Sequence, residues 1–211
     1  MAPPGRPRGF DRDAVLDAAM RLFWQHGYEG TSISDLTETT GIGTRSLYAA
    51  FGSKEELFRE AVTLYNSASV ISCGALDEEP TARAAIETLL RANADAYADP
   101  TTPRGCMIVL GAATGTPENE PVRRFLADCR DADRTAVSAR LERAVGDGDL
   151  PPDADTEAIA TFYLTVLHGL SIGARDGGTR EAMHQVIDMA MCGWDGVVSQ
   201  RRRSARPARS R

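Results

Sequence analysis

Apolar residues recur at helical spacing along most of the chain. Val15, Ala18, Ala19, Leu22 and Phe23 fall three and four apart, with Asp11 in a capping position and Gly27 after His26, so a first helix is read from 11 to 26. Ser32, with Asp35 three residues on, opens a short helix over about 33–39 as a capping box. Gly41-Ile42-Gly43 then supplies a sharp turn with Ile42 plugging the angle, and a helix over about 44–50 puts Leu47 and Phe51 on one face. Ser53 and Glu56 make a second capping box, opening a helix to about 69 on Leu57, Phe58, Ala61, Val62 and Tyr65. After a break at 74–80, further stripes mark helices at 81–98 and 120–145, with the nearly all-apolar stretch 105–113 buried between them. Two last helices are read over about 154–174 and 179–198, and no period-two alternation calls for a sheet. The expected fold class is all-α: an N-terminal three-helix helix-turn-helix unit followed by a C-terminal helical bundle.

The stretch from Gly27 to Phe58 carries the chemistry. With Leu47 and Phe51 turned inward, the third helix exposes Thr44, Arg45, Ser46, Tyr48 and Ala49, preceded by Gly43. A guanidinium can fork onto guanine, hydroxyls can bond phosphate, and a small methyl can touch a thymine methyl. Thr44 and Arg45, on the leading turn, are the expected base readers, and Tyr48 a phosphate contact. Lys54 occupies a first helical turn, where the dipole disfavours a cation, so an external phosphate is its expected partner. The Thr31 or Ser32 hydroxyl is expected beside it. Arg6 and Arg8, in the Pro-, Gly- and Arg-rich residues 1–10, fit a disordered basic arm that enters a minor groove.

Composition narrows the alternatives. With 211 residues, 42% hydrophobic and 26% charged, the chain is long enough for a sizeable core plus a small appended unit. A net charge of −6 excludes indiscriminate coating of nucleic acid or of an anionic membrane, so any DNA contact is local. The four cysteines show no C-x-x-C spacing, which points to neither zinc nor a disulfide framework, and no cofactor is implied. The N-terminus lacks an apolar signal region, and the longest apolar run, Cys106–Ala113, is far short of the roughly 20 residues of a membrane span. A cytoplasmic protein with no membrane partner is expected. Residues 146–155 read as an acidic loop, since Ala158 stands where a calcium loop would need its closing Glu. Residues 200–211 read as a disordered basic tail.

One motif points elsewhere. Gly169-Leu170-Ser171-Ile172-Gly173 matches the G-x-S-x-G elbow of serine hydrolases. Yet Ile159, Phe162, Tyr163, Val166, Leu167 and Leu170 form a helix stripe, and Asp176, His184 and Asp188 follow with no strand-helix alternation to bring them to Ser171. A hydrolase at Ser171 is kept as the remote alternative, and no catalysis is expected. Gly169 and Gly173 suit close helix approach, and Met183, Ile187, Met191 and Trp194 form an apolar seam on the last helix. Two such helices can pair with their symmetry mates in a four-helix bundle.

Over residues 11–60 the chain resembles the tetracycline-repressor (TetR/AcrR) family of transcriptional regulators. Leu22-Phe23, Gly27-Tyr28, Thr31-Ser32, Ile33, Leu36, Gly41-Ile42, Ser46-Leu47-Tyr48, Phe51 and Ser53-Lys54-Glu55 fall at that family's spacings. Gly43, Ala49 and Ala50 depart from its usual residues. The resemblance implies a homodimer that binds a pseudo-palindromic double-stranded DNA operator as a repressor and is released by a small molecule. An activator, or a DNA-binding protein without ligand input, is the alternative within that class. It also implies a dimer interface at Gly169, Gly173, Met183, Ile187, Met191 and Trp194, and an effector pocket within residues 61–199. Asn93, Tyr97, Met107, Leu110, Phe125, Phe162, Tyr163 and His168 are the candidate liners, suited to an apolar or aromatic molecule.

Overall fold

A computed structural model describes residues 9–68, 73–112 and 115–199. Its elements are α1 (Arg12–His26), α2 (Ile33–Thr40), α3 (Thr44–Phe51), α4 (Lys54–Ala68), α5 (Cys73–Glu78), α6 (Ala82–Tyr97), α7 (Met107–Leu110), α8 (Glu120–Gly146), α9 (Thr156–Arg175), α10 (Arg180–Cys192) and α11 (Trp194–Val198). Among the described residues there is no β-ladder, as the absence of period-two patterning implies. Residues 1–8 and 200–211, where the basic arm with Arg6 and Arg8 and the basic tail are expected, lie outside the described residues.

The caps act where the sequence places them. The Asp11 carboxylate accepts from the Asp13 and Ala14 amides, and Ser32 and Asp35 form a reciprocal capping box. Gly41 ends α2 at φ 70°, a left-handed turn that a side chain would strain, whereas Gly43 has an ordinary φ of −71°. The second capping box forms only by half: Ser53 Oγ accepts from the Glu56 amide, but the Ser53 amide donates to the Phe51 carbonyl instead.

Burial organises the elements into two connected layers. In the first, α1 packs along α4, and Phe23, Tyr28 and Phe58 form an edge-on aromatic cluster, with centroids 5.1 and 5.2 Å from Phe58. Leu36, Leu47, Phe51 and Leu57 close the floor beneath α2 and α3. Arg12 fixes the end of α3, stacking on Phe51 at 4.3 Å while pairing with Glu60 of α4 at 2.7 Å. In the second layer α9 is the central helix, touching α6, α8 and α10. It is long and apolar enough to cross a membrane by length and composition, a feature the run 105–113 does not share. Its apolarity is that of a helix packed by neighbours on several sides: Ile159, Tyr163, Leu164, Leu167 and Leu170 are all buried among them.

Two boundaries differ from expectation. The break at 74–80 contains α5, because Leu76 inserts into the core and the buried Arg140 of α8 donates to the carbonyls of Leu76 and Glu79 at 2.9 and 3.0 Å. The last helix is two, α10 and α11, divided at Gly193.

Bonds across the layers tie them together. Trp24 Nε1 donates to the Gly105 carbonyl (2.8 Å) and the Tyr28 amide to the Gly111 carbonyl (2.7 Å). Arg175, at the end of α9, donates to the carbonyls of Trp24 and Gln25 at 2.7 and 2.8 Å. Glu29 accepts from the Thr116 amide and from Asn119 Nδ2, which draws its carboxyl below the usual range.

Candidate functional site

The outer face of α3 presents Thr44, Arg45, Ser46, Tyr48 and Ala49 to solvent, with Gly43 exposed ahead of them. Leu47 and Phe51 anchor the opposite face, so one eight-residue helix separates packing from contact. No acidic residue lies in its first turn, and Gly43 gives no side-chain cap, which leaves the leading amides open to an acceptor. Beside α3 runs an open groove of about 580 Å³, lined by Gly41, Ile42, Gly43, Ser46, Ala49 and Ala50 among others. Small side chains at Ala49 and Ala50 make room for a close approach there.

The residues expected to hold phosphate differ in their exposure. Ser32 is exposed at the start of α2. Thr31 is not available: it is fully buried, and its hydroxyl donates to the Gly27 carbonyl at 2.8 Å, locking the turn between α1 and α2. Lys54 lies over the Tyr28 ring at 4.2 Å, so part of the first-turn cost is met within the chain. Burial lowers its pKa, against the opposing fields of Glu29 and Asp35.

The expected dimer residues divide in two. Met183, Ile187, Met191 and Trp194 are at most 5% exposed and pack within the chain, Trp194 tilted on Tyr163 at 5.5 Å, so the seam is corrected: it closes α10 and α11 onto α9 and α6. Gly169 and Gly173 stay open, with nothing within 4 Å of an added Cβ. The apolar surface left over lies on the other face of the same helices. Of the five large hydrophobic side chains exposed among the described residues, four are Phe162 and Ile172 of α9 and Val186 and Met189 of α10, and Met189 is 77% exposed.

The expected effector residues do not form one chamber. Phe162 points outward and Tyr163 is covered by Trp194. Met107 is fully buried core, and Leu110 packs close to Gly105. Phe125 lies under the Arg59 guanidinium at 4.5 Å in a surface groove, and His168 lines another groove, its pKa lowered by burial and by Arg130. Of the expected residues, Asn93 and Tyr97 line one cavity, of about 270 Å³, at the junction of the two layers. Asp17, Met20, Arg21 and Trp24 of α1 form one wall, Tyr65 of α4 another, and Ala96, Asp99 and Thr102 complete it. Burial, and then the nearby Cys106 thiol, hold the Tyr65 and Tyr97 phenols far above the usual range, so both stay protonated. The Tyr97 hydroxyl, sealed from solvent, has no partner in hydrogen-bond geometry. Met20, Trp24 and Tyr65 were not foreseen; the signal available was a tryptophan set just off the apolar stripe of the first helix.

Ser171 is no nucleophile elbow. It sits inside α9, fully buried, and its Oγ accepts the Cys106 amide at 2.8 Å. Among the described residues no group of His, Cys, Asp and Glu could hold a metal ion.

The family described as bacterial regulatory proteins, tetR family, matches residues 15–61, and the tetracyclin repressor-like C-terminal domain matches residues 82–190. The chain is 34% identical over 196 residues to the HTH-type transcriptional repressor ComR of Escherichia coli (strain K12), covering 92% of this chain and 93% of that protein. It is 31% identical over 189 residues to the repressor BdcR of the same organism, covering 89% and 90%. Among solved structures, a cysteine-substituted form of the TetR family transcriptional regulator CifR, complexed with 26bp double-strand operator DNA, superposes with a TM-score of 0.87 at 46% identity. That match covers 90% of this chain and all of the other.

Proposed function

The chain belongs to the tetR family of bacterial regulatory proteins, and from that membership we propose that it is a cytoplasmic transcriptional repressor, acting as a homodimer on a pseudo-palindromic operator and released by a small molecule. The observation that carries the DNA-binding part is the solvent face of α3: a guanidinium, hydroxyls and a methyl group stand together on a helix whose other face is wholly buried. The operator complex of the CifR structure supports the same use of this fold. On this reading Arg45 and Thr44 read bases, while Ser32, Tyr48 and Lys54 hold phosphates. The second copy docks on the outer stripe of α9 and α10, where Gly169 and Gly173 let backbones approach and Phe162, Ile172, Val186 and Met189 supply apolar surface.

One short helix reads only a few base pairs, so two copies must place their α3 helices about 34 Å apart, or a little more, to meet successive major grooves. Selection of sites from a random DNA pool by the full chain tests this. Enrichment of a two-fold symmetric sequence bound by two chains is the expected result; an asymmetric winner bound by one chain overturns the dimeric reading.

A further inference from the structure

We propose that Arg12, tethered by Glu60, is the positioning residue for α3 on DNA, so that this pair helps decide which sequence is selected without contacting a base. The proposal rests on the reading of the chain as a sequence-specific repressor and deepens it.

Arg12 stands where its own helix gives it no support. It is the first residue of α1, and a cation in a first turn is opposed by the helix dipole. Its side chain leaves α1 and crosses to the C-terminal end of α3. There Nη2 reaches the Ala50 carbonyl at 3.4 Å, and the guanidinium lies over the Phe51 ring at 4.3 Å. The last turn of α3 has no basic residue of its own, so Arg12 supplies the positive charge that its terminal carbonyls favour. Both Glu60 oxygens accept from the same nitrogen at 2.7 Å, which ties the guanidinium to α4. One side chain thus joins α1, α3 and α4.

α3 needs such a tie. It is eight residues long, and its leading end has no side-chain cap. Leu47 and Phe51 fix its inner face, but the flank made by Ser46, Ala49 and Ala50 borders an open groove of about 580 Å³. Packing on that flank does not resist rotation of the helix about its Leu47–Phe51 anchor; the Arg12 contacts at Ala50 and Phe51 do. A rotation of that kind swings Arg45 out of line, and a forked contact with a base edge depends on alignment.

The Arg12 side chain is 32% exposed, so direct contact with a phosphate is the rival use. The two uses predict opposite signs at Glu60. Glu60→Gln keeps the side-chain shape and removes a negative charge beside Arg12. A phosphate-binding Arg12 is thereby freed and binds all DNA more tightly. A positioning Arg12 loses its tether, and discrimination falls.

The test measures affinity of the full chain for the site it selects from a random pool and for a scrambled duplex, at several salt concentrations. Arg12→Met should lower the selected-to-scrambled ratio by about tenfold and Glu60→Gln by about fivefold, with the salt slope unchanged, while Arg12→Lys, which can still pair with Glu60, recovers part of the loss. A second selection with Arg12→Met should relax preference at the position Arg45 reads, a change that lost stability alone does not produce. A salt slope flatter by about one unit in Arg12→Met, or tighter binding of both duplexes by Glu60→Gln, would make Arg12 a phosphate contact and overturn the proposal. Unchanged ratios would do the same. Should Arg12→Met fail to fold, the sign of the Glu60→Gln effect alone decides between the two uses. A parent chain that selects no site overturns the repressor reading and this proposal with it, whereas a selected site that parent and variants discriminate equally well refutes the role of Arg12 alone.

Discussion

Arg175→Met removes a single side chain that fastens the end of α9 to the end of α1. The guanidinium donates to the Trp24 and Gln25 carbonyls at 2.7 and 2.8 Å, and these belong to the last turn of α1, where carbonyls lack helical partners and a cation is favoured. Hydrogen bonds from charged groups contribute about 1.5–3 kcal/mol each when sheltered, and partial exposure brings two of them to roughly 2–3 kcal/mol together. The favourable placement at a helix C-terminus adds about 0.3–1 kcal/mol. Against this, Arg175 Nε is buried without a partner and burial lowers the pKa of the group, so its removal relieves about 1 kcal/mol. Methionine keeps the packing of the stem. The net loss is about 2 kcal/mol, or roughly 4–8 °C in Tm for a chain of this length. Thermal unfolding followed by far-ultraviolet circular dichroism measures it, and Arg175→Lys, which can reach one carbonyl, should lose about half as much. Operator affinity should fall too, because α1 braces α2 and α3. A Tm within about 1 °C of the parent would mark Arg175 as an ordinary surface arginine and refute the reasoning.

Other outcomes follow from the same structure. Lys54→Ala should weaken binding to all DNA sequences alike and flatten the logarithmic salt dependence by about one unit, read from affinities at several salt concentrations. Met189→Asp with Ile172→Asp should give monomers by sedimentation with little change in Tm, whereas Trp194→Asp, a charge placed in the core, should cost about 3 kcal/mol or more of stability; intact dimers from the first pair would move the interface elsewhere. Burial pushes the Asp133 carboxyl up to about 6 from an ordinary 3.8, against the opposing pull of Arg130. A carboxyl raised on folding stabilises fully below its unfolded pKa and loses that contribution as pH rises through the folded one. Asp133→Asn should therefore gain about 2–3 kcal/mol relative to the parent between pH 4 and pH 7, measured as the difference of two urea-unfolding series, and parallel series would remove the cause.

The helix-turn-helix was legible because its signals are local. Caps at Asp11 and Ser32, the left-handed Gly41 and the Leu47–Phe51 pair depend on residues a few positions apart, and each acts at its expected place. Thr31 escaped that reading, since a hydroxyl beside a turn looks the same whether it faces phosphate or the Gly27 carbonyl. The larger layer was legible in its helices and not in its surfaces. A stripe such as Met183, Ile187 and Met191 states that a face is covered, without stating whether α6 and α9 or a second copy covers it. The cavity was harder still. It joins Trp24, Tyr65 and Asn93 from three helices, and no spacing along the chain records that meeting.

The most direct measurement compares affinity for the selected site with affinity for a scrambled duplex at one salt concentration, for the parent chain and for Arg45→Ala. If α3 reads bases through Arg45, the substitution lowers selected-site affinity by about 1–3 kcal/mol, changes scrambled-site affinity by much less, and relaxes preference at one position in each half-site. An unchanged ratio of the two affinities would contradict it, and would mean that the exposed face of α3 is not the face that reads DNA.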